Sequence, residues 1–194
     1  LIAAAELAET YGDADSAVAW RSAAEDMYAA AHERLYSTER NCLVKGLRYY
    51  TETDVRPQDT IDTASFFGAF MFGLFSVDDP ELENSVATIR ERFAQHQGVG
   101  LPRYEDDVYR QVRPGQSNYW HISTLWLAQY LLEKGDETEA RRILDWVTAH
   151  SYATGVLAEQ IIPDTGLSTS IAPLVWSQAE YMATILDLIG RGDK

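Results

Sequence analysis

The sequence predicts an all-α protein: part of a double-layered barrel of helices, with long loops gathered on one face. Three observations carry this. Helical segments of two kinds alternate, one amphipathic and one apolar nearly all round. The connections between them alternate as well, short then long. Finally, the apolar helices start near residues 62, 119 and 173, in steps of 57 and 54 residues. The unit is therefore a helical hairpin followed by a long loop, repeated.

The elements follow in order. Residues 1–11 (LIAAAELAETY) read as the end of an apolar helix, stopped at Gly12. Residues 16–34 place Ala17, Trp20, Ala24, Met27, Tyr28 and Ala31 at three- and four-residue steps, one stripe for one buried face. A first long loop runs over about 41–61, with 42–51 (CLVKGLRYYT) suited to a short extended piece. Residues 64–75 (ASFFGAFMFGLF) are apolar on every side, which predicts burial on every side. Asp79-Pro80 then gives an N-cap and a first-turn proline for an amphipathic helix over 80–94, with Leu82, Val86, Ile89 and Phe93 as its stripe.

The second long loop, about 97–118, leads into the apolar run 120–132 (WHISTLWLAQYLL). Gly135 stops that helix. Asp136 and Glu139 form an acidic capping box for residues 137–149, whose stripe is Ala140, Ile143, Leu144 and Val147. The third long loop, about 151–172, precedes a last apolar helix over 173–189, stopped at Gly190. If the hairpins are antiparallel, every long loop enters at the N-terminal end of an apolar helix, and all three lie on one face. Loops of this length usually carry function. A helical solenoid also stacks helix pairs and stays open as an alternative, with the tetratricopeptide-like run from Lys134 to Ala140 in its favour.

Composition narrows the function. The chain carries 30 acidic and 16 basic residues, a net charge of −14, and only three lysines, Lys45, Lys134 and Lys194. Such a surface disfavours nucleic acid and anionic membranes, which are bound through Lys and Arg. Solubility, or adaptation to salt, accounts for it. No apolar run reaches membrane-spanning length, so the expectation is a soluble protein, cytoplasmic rather than secreted. Cys42 is the single cysteine, and His32, His96, His121 and His150 show no ligand spacing, so neither an internal disulfide nor a metal or other cofactor is expected. The chain opens at Leu1 with a helical pattern already running and without an initiator Met or a signal sequence. It is therefore expected to be a single-domain fragment, 1–194, of something longer.

Two loops hold residues suited to chemistry. The second contains Arg103, Tyr104, Glu105, Asp106, Asp107 and Tyr109, then Asn118, Tyr119 and Trp120. Aromatic faces pack on the apolar face of a sugar ring, and planar charged groups grip its hydroxyls in pairs. A solvated acidic turn with anchored aromatics would look the same. In the third loop Glu159 is flanked by apolar residues, so partial burial is expected. A buried, satisfied structural Glu is the competing account.

The order Arg103-Tyr104-x-Asp106-Asp107-x-Tyr109, Asn118-Tyr119-Trp120, Leu157-Ala158-Glu159-Gln160, Leu174-Val175-Trp176-Ser177 resembles glycoside hydrolase family 15. That family comprises glucoamylases, glucodextranases and some trehalases. The match runs from about Gly100 to Ile189. Its pattern is Arg-Tyr-x-Glu-Asp-x-Tyr, Asn-Pro-Trp, Glu-Gln and Leu-Thr-Trp-Ser. Here Asp106, Tyr119 and Val175 depart from it, at the glutamate, the proline and the threonine.

The resemblance implies an (α/α)6 barrel, of which this chain would be the C-terminal half. It implies an inverting exo-acting α-glucoside hydrolase, with an α-glucan or α-glucoside as substrate and Glu159 as the general base. Arg103 and Asp107 would hold sugar hydroxyls. Trp176 would pack in the pocket, and Trp120 would shape its wall or support the loop. Tyr104 and Tyr109 are lesser members of the same site. The general acid of the family lies in a Trp-Glu stretch that this sequence lacks, so it is expected upstream of Leu1, in an N-terminal half that would be this chain's partner. Inner helices without neighbours would then leave apolar patches able to drive self-association. A carbohydrate-binding module without turnover, or a solenoid that binds proteins, are the alternatives. A barrel should gather Arg103, Glu159 and Trp176 at one end.

Overall fold

The structure is a computed structural model that describes residues 1–93 and 99–192. Seven helices and seven short strands follow one another. They are α1 (Ile2–Thr10), α2 (Ala14–Arg34), β1 (Tyr36–Ser37), β2 (Cys42–Leu43), β3 (Gly46–Tyr49), β4 (Val55–Gln58), α3 (Thr63–Met71) and α4 (Pro80–Phe93). After these come β5 (Tyr119–Trp120), α5 (His121–Glu133), α6 (Glu137–Ala149), β6 (Gln160–Ile161), β7 (Ser168–Thr169) and α7 (Val175–Gly192). The helical hairpins are α1–α2, α3–α4 and α5–α6, and α7 follows them. Ala94, His96 and the first residues of the second long loop lie outside the described residues.

The caps explain where the helices begin. Asp13, Asp62 and Asp136 each accept a backbone N–H from the first turn that follows, and Asp79 does the same for Glu81. Gly12 and Gly135 take positive φ, 83° and 80°, and end α1 and α5 as the sequence indicates. Two local expectations are corrected. Helix α7 runs through Gly190 to Gly192. The capping box at Asp136 is half formed: Asp136 caps the N–H of Glu139, while the Glu139 carboxylate turns outward to Arg90 and Arg142.

Helix α5 is the keystone. Every residue from His121 to Leu132 is buried, as the apolar run predicts. It packs on α6 beneath and on α3 and α7 to either side. The core around it is built from Phe66, Leu82, Ile89, Leu125, Leu132 and Ile143, all essentially without exposure. Deleting such a side chain costs about 2–5 kcal/mol.

The other apolar helices differ from the expectation of burial on all sides. On α3, Phe66 and Phe70 are buried but Met71 is exposed. On α7, Val175, Met182, Leu186 and Ile189 face outward, and the buried positions are Ser177, Thr184 and Leu188. The reason is position. Helix α5 has a neighbour on each flank, whereas the flank contacts of α3 and α7 are made to α5. Nor is the stripe of α2 covered: Ala17 is buried, but Trp20, Met27 and Tyr28 are exposed, and α2 packs chiefly on α1.

The three long loops do lie together at the N-terminal ends of α3, α5 and α7. The extended piece read in the first loop appears as β2, paired with β1, and β3, paired with β4. The second and third loops share the sheet β5-β6-β7, with Trp120 opposite Gln160 and Gln160 opposite Thr169. Among the described residues no helix is long and apolar enough to cross a membrane. Cys42 is buried, and burial pushes its thiol up to about 11, which makes it inert at neutral pH.

Candidate active site

The second loop is pinned to the start of α3. The Arg103 carbonyl accepts from the Thr63 backbone N–H at 2.8 Å and from the Thr63 hydroxyl at 2.9 Å. Ile61 and Glu105 exchange bonds in both directions, each 3.0 Å. The Glu105 carboxylate also binds Arg40 at 2.6 Å and Arg92 at 2.7 Å. Burial raises the pKa of Glu105, but the Ile61 N–H and the two guanidiniums outweigh it and hold the group below the usual carboxylate range. Glu105 is thus the clamp of this loop. Asp106 beside it is exposed at φ 56°, a turn residue in the left-handed region that Asp tolerates.

Arg103 is held on all sides. Its Nε and a terminal nitrogen bind the two Asp107 oxygens at 2.8 and 2.9 Å, a fork-to-fork pair. The guanidinium lies 4.1 Å over the Trp120 ring, 5.0 Å from Tyr109 and 5.1 Å from Tyr104. The bond to Asp107 raises the Arg103 pKa first of all, and the charges of Asp107, Tyr104 and Glu159 add to it, against the effect of burial. Asp107 is 1% exposed and spends both oxygens inside, on Arg103 and on the Tyr109 N–H. Trp120 is buried beneath the guanidinium. Asp107 and Trp120 are shut in, whereas Arg103, with 29% of its side chain exposed, and Tyr109 open to solvent.

Glu159 stands at the edge of β6. Side chains alternate along a strand, so Gln160 points inward, where it is fully buried. Gln160 Oε1 accepts from Asn118 at 2.8 Å, which joins two of the motif pieces. Glu159 is 8% exposed; its backbone N–H is bonded to Ile171, and its Oε2 accepts the hydroxyl of Ser170. Ser170 has φ 67°, the backbone turn that aims its side chain back at the carboxylate. The next motif piece is bonded to the same loop: Leu174 N–H to the Leu157 carbonyl at 3.2 Å, and the Ser177 hydroxyl to the Ala158 carbonyl at 2.9 Å. Trp176 therefore emerges on the first turn of α7, half exposed, beside the Trp126 ring at 5.8 Å.

Arg103, Glu159 and Trp176 thus come from three segments that meet at one end of the helices, the arrangement expected of a barrel rather than a solenoid. Sequence reasoning missed Ser170, Lys45 and Asp62. The Lys45 ammonium lies 3.7 Å over the Tyr104 ring and 3.0 Å from Asp62, so the first loop also reaches the Arg103 group. Asp62 carried a signal, as a capping residue before Thr-Ala-Ser. Ser170 carried none.

The site is a nearly buried carboxylate and an arginine–aromatic cluster, set by long loops at one end of a mostly helical fold. The chain is 31% identical over 160 residues to an uncharacterized glycosyl hydrolase of Methanocaldococcus jannaschii, covering 72% of this chain and 25% of that protein. A trehalase of Mycolicibacterium smegmatis is 23% identical over 184 residues, 95% of this chain and 26% of its own. In fold, the chain is similar to a bacterial glucoamylase solved in complex with acarbose, with TM-score 0.82, 23% identity, and coverage of 97% of this chain and 32% of that one. A glucoamylase from Saccharomycopsis fibuligera gives TM-score 0.78 at 17% identity, covering 96% and 52%. No family model matches. The chain is thus similar in sequence to glycosyl hydrolases, among them a trehalase, and its fold is similar to part of the glucoamylase (α/α)6-type barrel. It spans about a quarter of the length of the curated relatives it matches.

Proposed function

We propose that this chain is the C-terminal half of the catalytic domain of an inverting, exo-acting α-glucoside hydrolase of glucoamylase type, and that Glu159 is its general base. In this reading the Glu159 carboxylate takes a proton from a water, and the water oxygen bonds to the anomeric carbon from the face opposite the leaving group. The bond to the glycosidic oxygen breaks, and that oxygen takes its proton from a second carboxylate, which the reading assigns to a part of the parent protein outside this chain. Inversion requires the two carboxylates to be roughly 6.5–9.5 Å apart so that a water fits between them. Arg103 grips sugar hydroxyls, with Asp107 and Trp120 fixing it from behind. Tyr104 and Tyr109 wall the same pocket, and Trp176 packs on the sugar ring. The outward apolar faces of α2 and α7 then cover, or are covered by, the rest of the barrel, and in its absence they self-associate.

The observation that carries the reading is the nearly buried Glu159 carboxylate, held by Ser170 and within the electrostatic reach of a preorganised Arg103. The test is glucose release from maltose, maltooligosaccharides, isomaltose and trehalose, by this chain and by the full-length protein. The full-length protein is expected to be active and the chain alone inactive. Glu159→Gln should lower kcat of the full-length protein by about a hundredfold or more, because an amide cannot take the water's proton. Turnover that survives this change removes Glu159 from the role of base. Binding without turnover on any of the sugars would leave a carbohydrate-binding module.

A further inference from the structure

We propose that Glu180 is the positioning residue for Trp176, and that it fixes the indole as a rigid platform for the sugar ring; the inference rests on the glycosidase reading above. Trp176 is half exposed at the first turn of α7. An indole in that place has little packing to select one rotamer, and ordering it at the moment of binding would weaken affinity.

Here two contacts fix it beforehand. The indole N–H donates to Glu180 Oε1 at 3.0 Å, one turn further along the same helix face. Trp126 of α5 lies beside its ring, and Trp126 is itself stacked on Phe67 of α3 at 4.5 Å.

Glu180 is not a loose surface group either. Its second oxygen accepts the side-chain N–H of Gln129 at 2.8 Å, and Gln129 also donates to the Thr184 hydroxyl at 3.1 Å. Gln129 and Thr184 are both buried. The carboxylate thus transmits the rigidity of α5 to an exposed ring on α7. A carboxylate suits the task because both neighbours are donors and it has an acceptor for each.

The experiment is a mutant cycle in the full-length protein, read as steady-state kinetics on maltotriose. Glu180→Leu should raise KM about tenfold while kcat stays within about threefold, the pattern of lost ground-state and transition-state binding alike. Glu180→Gln keeps an oxygen for the indole, and Gln129 can turn its amide to match, so its KM should be close to wild type. Trp176→Phe keeps a ring but has no N–H; in that background Glu180→Leu should raise KM no further.

An unchanged KM in Glu180→Leu, or the same rise in both backgrounds, overturns the proposal. So does a fall in thermal midpoint common to both backgrounds without a change in KM, which marks a purely structural link between α5 and α7. If the protein binds sugar without turning it over, the same four proteins give the cycle as Kd for maltotriose by titration calorimetry. The glycosidase reading stands or falls separately, on Glu159→Gln.

Discussion

His121 gives a prediction whose size follows from the structure. It is the first residue of α5, has no exposure, and neither ring nitrogen has a hydrogen-bond partner among the described residues. Burial, with a smaller contribution from the charge of His150, pushes its pKa from 6.5 down to about 4. A depressed folded-state pKa means that the neutral ring is the folded form. Its stability is fully present above pH 6.5 and is lost as pH falls through the window down to about 4. The whole window corresponds to about 3 kcal/mol, of which about 2 kcal/mol is gone by pH 5.

His121→Leu removes the titration and both unpartnered nitrogens while keeping an apolar side chain in the core. Urea denaturation of wild type and variant at pH 7.5, 6 and 5 should show wild type falling relative to the variant by about 2 kcal/mol across the series. The range stops above the carboxylate region, so Glu105 and Glu139, whose pKa values are lowered by their partners, remain ionised throughout. Parallel loss of stability in the two proteins would refute the reasoning, since His121 would then have found a partner or a path to water.

Two further outcomes are expected. Gly100→Ala places a Cβ 2.4 Å from the Tyr119 ring and 2.8 Å from the Trp146 ring, both flanked by the core; it should lower stability by about 2–3 kcal/mol in thermal unfolding. Asp107→Asn leaves one acceptor where Arg103 now has two, and kcat/KM of the full-length protein should fall about tenfold or more, with Asp107→Ala worse.

The alternation of hairpins and long loops was legible because periodicity records which faces are covered. Caps at Asp79 and Asp136, the stops at Gly12 and Gly135, and the total burial of α5 follow from it directly. What could not be read was the extent of burial at the edges. Apolar sequences in α3, α7 and α2 state that these faces want cover, and a string of residues does not state whether a neighbour supplies it. The motif residues were legible as types, but not their division of labour. Asp107 read as a hydroxyl grip and spends its oxygens inside, on Arg103 and the Tyr109 N–H, while Trp120 lies beneath the same guanidinium. Ser170 depends on a positive φ that nothing in its neighbours announces, and Lys45 acts across more than fifty residues of chain on the ring of Tyr104.

The three departures from the family pattern can now be weighed by location. Tyr119, in place of a proline, turns its ring away from the site, into the space that Gly100 leaves open, and meets Trp146 edge-on at 6.1 Å. Burial there, with Asp164 nearby, pushes its phenol up to about 12, so it stays neutral. Gly100, nineteen positions earlier, leaves the room this ring occupies, and strand β5 delivers Trp120 beneath Arg103. Asp106 occupies an exposed left-handed turn, where its side chain touches neither Arg103 nor Glu105 through any bond they use. Val175 is 79% exposed, on the side of α7 away from the bonds that tie Leu174 and Ser177 to the loop of Glu159. None of the three lies between Arg103, Glu159 and Trp176. In the proposed reading a change in those three would alter what the site can hold, whereas changes at Tyr119, Asp106 and Val175 alter how the surrounding chain is propped.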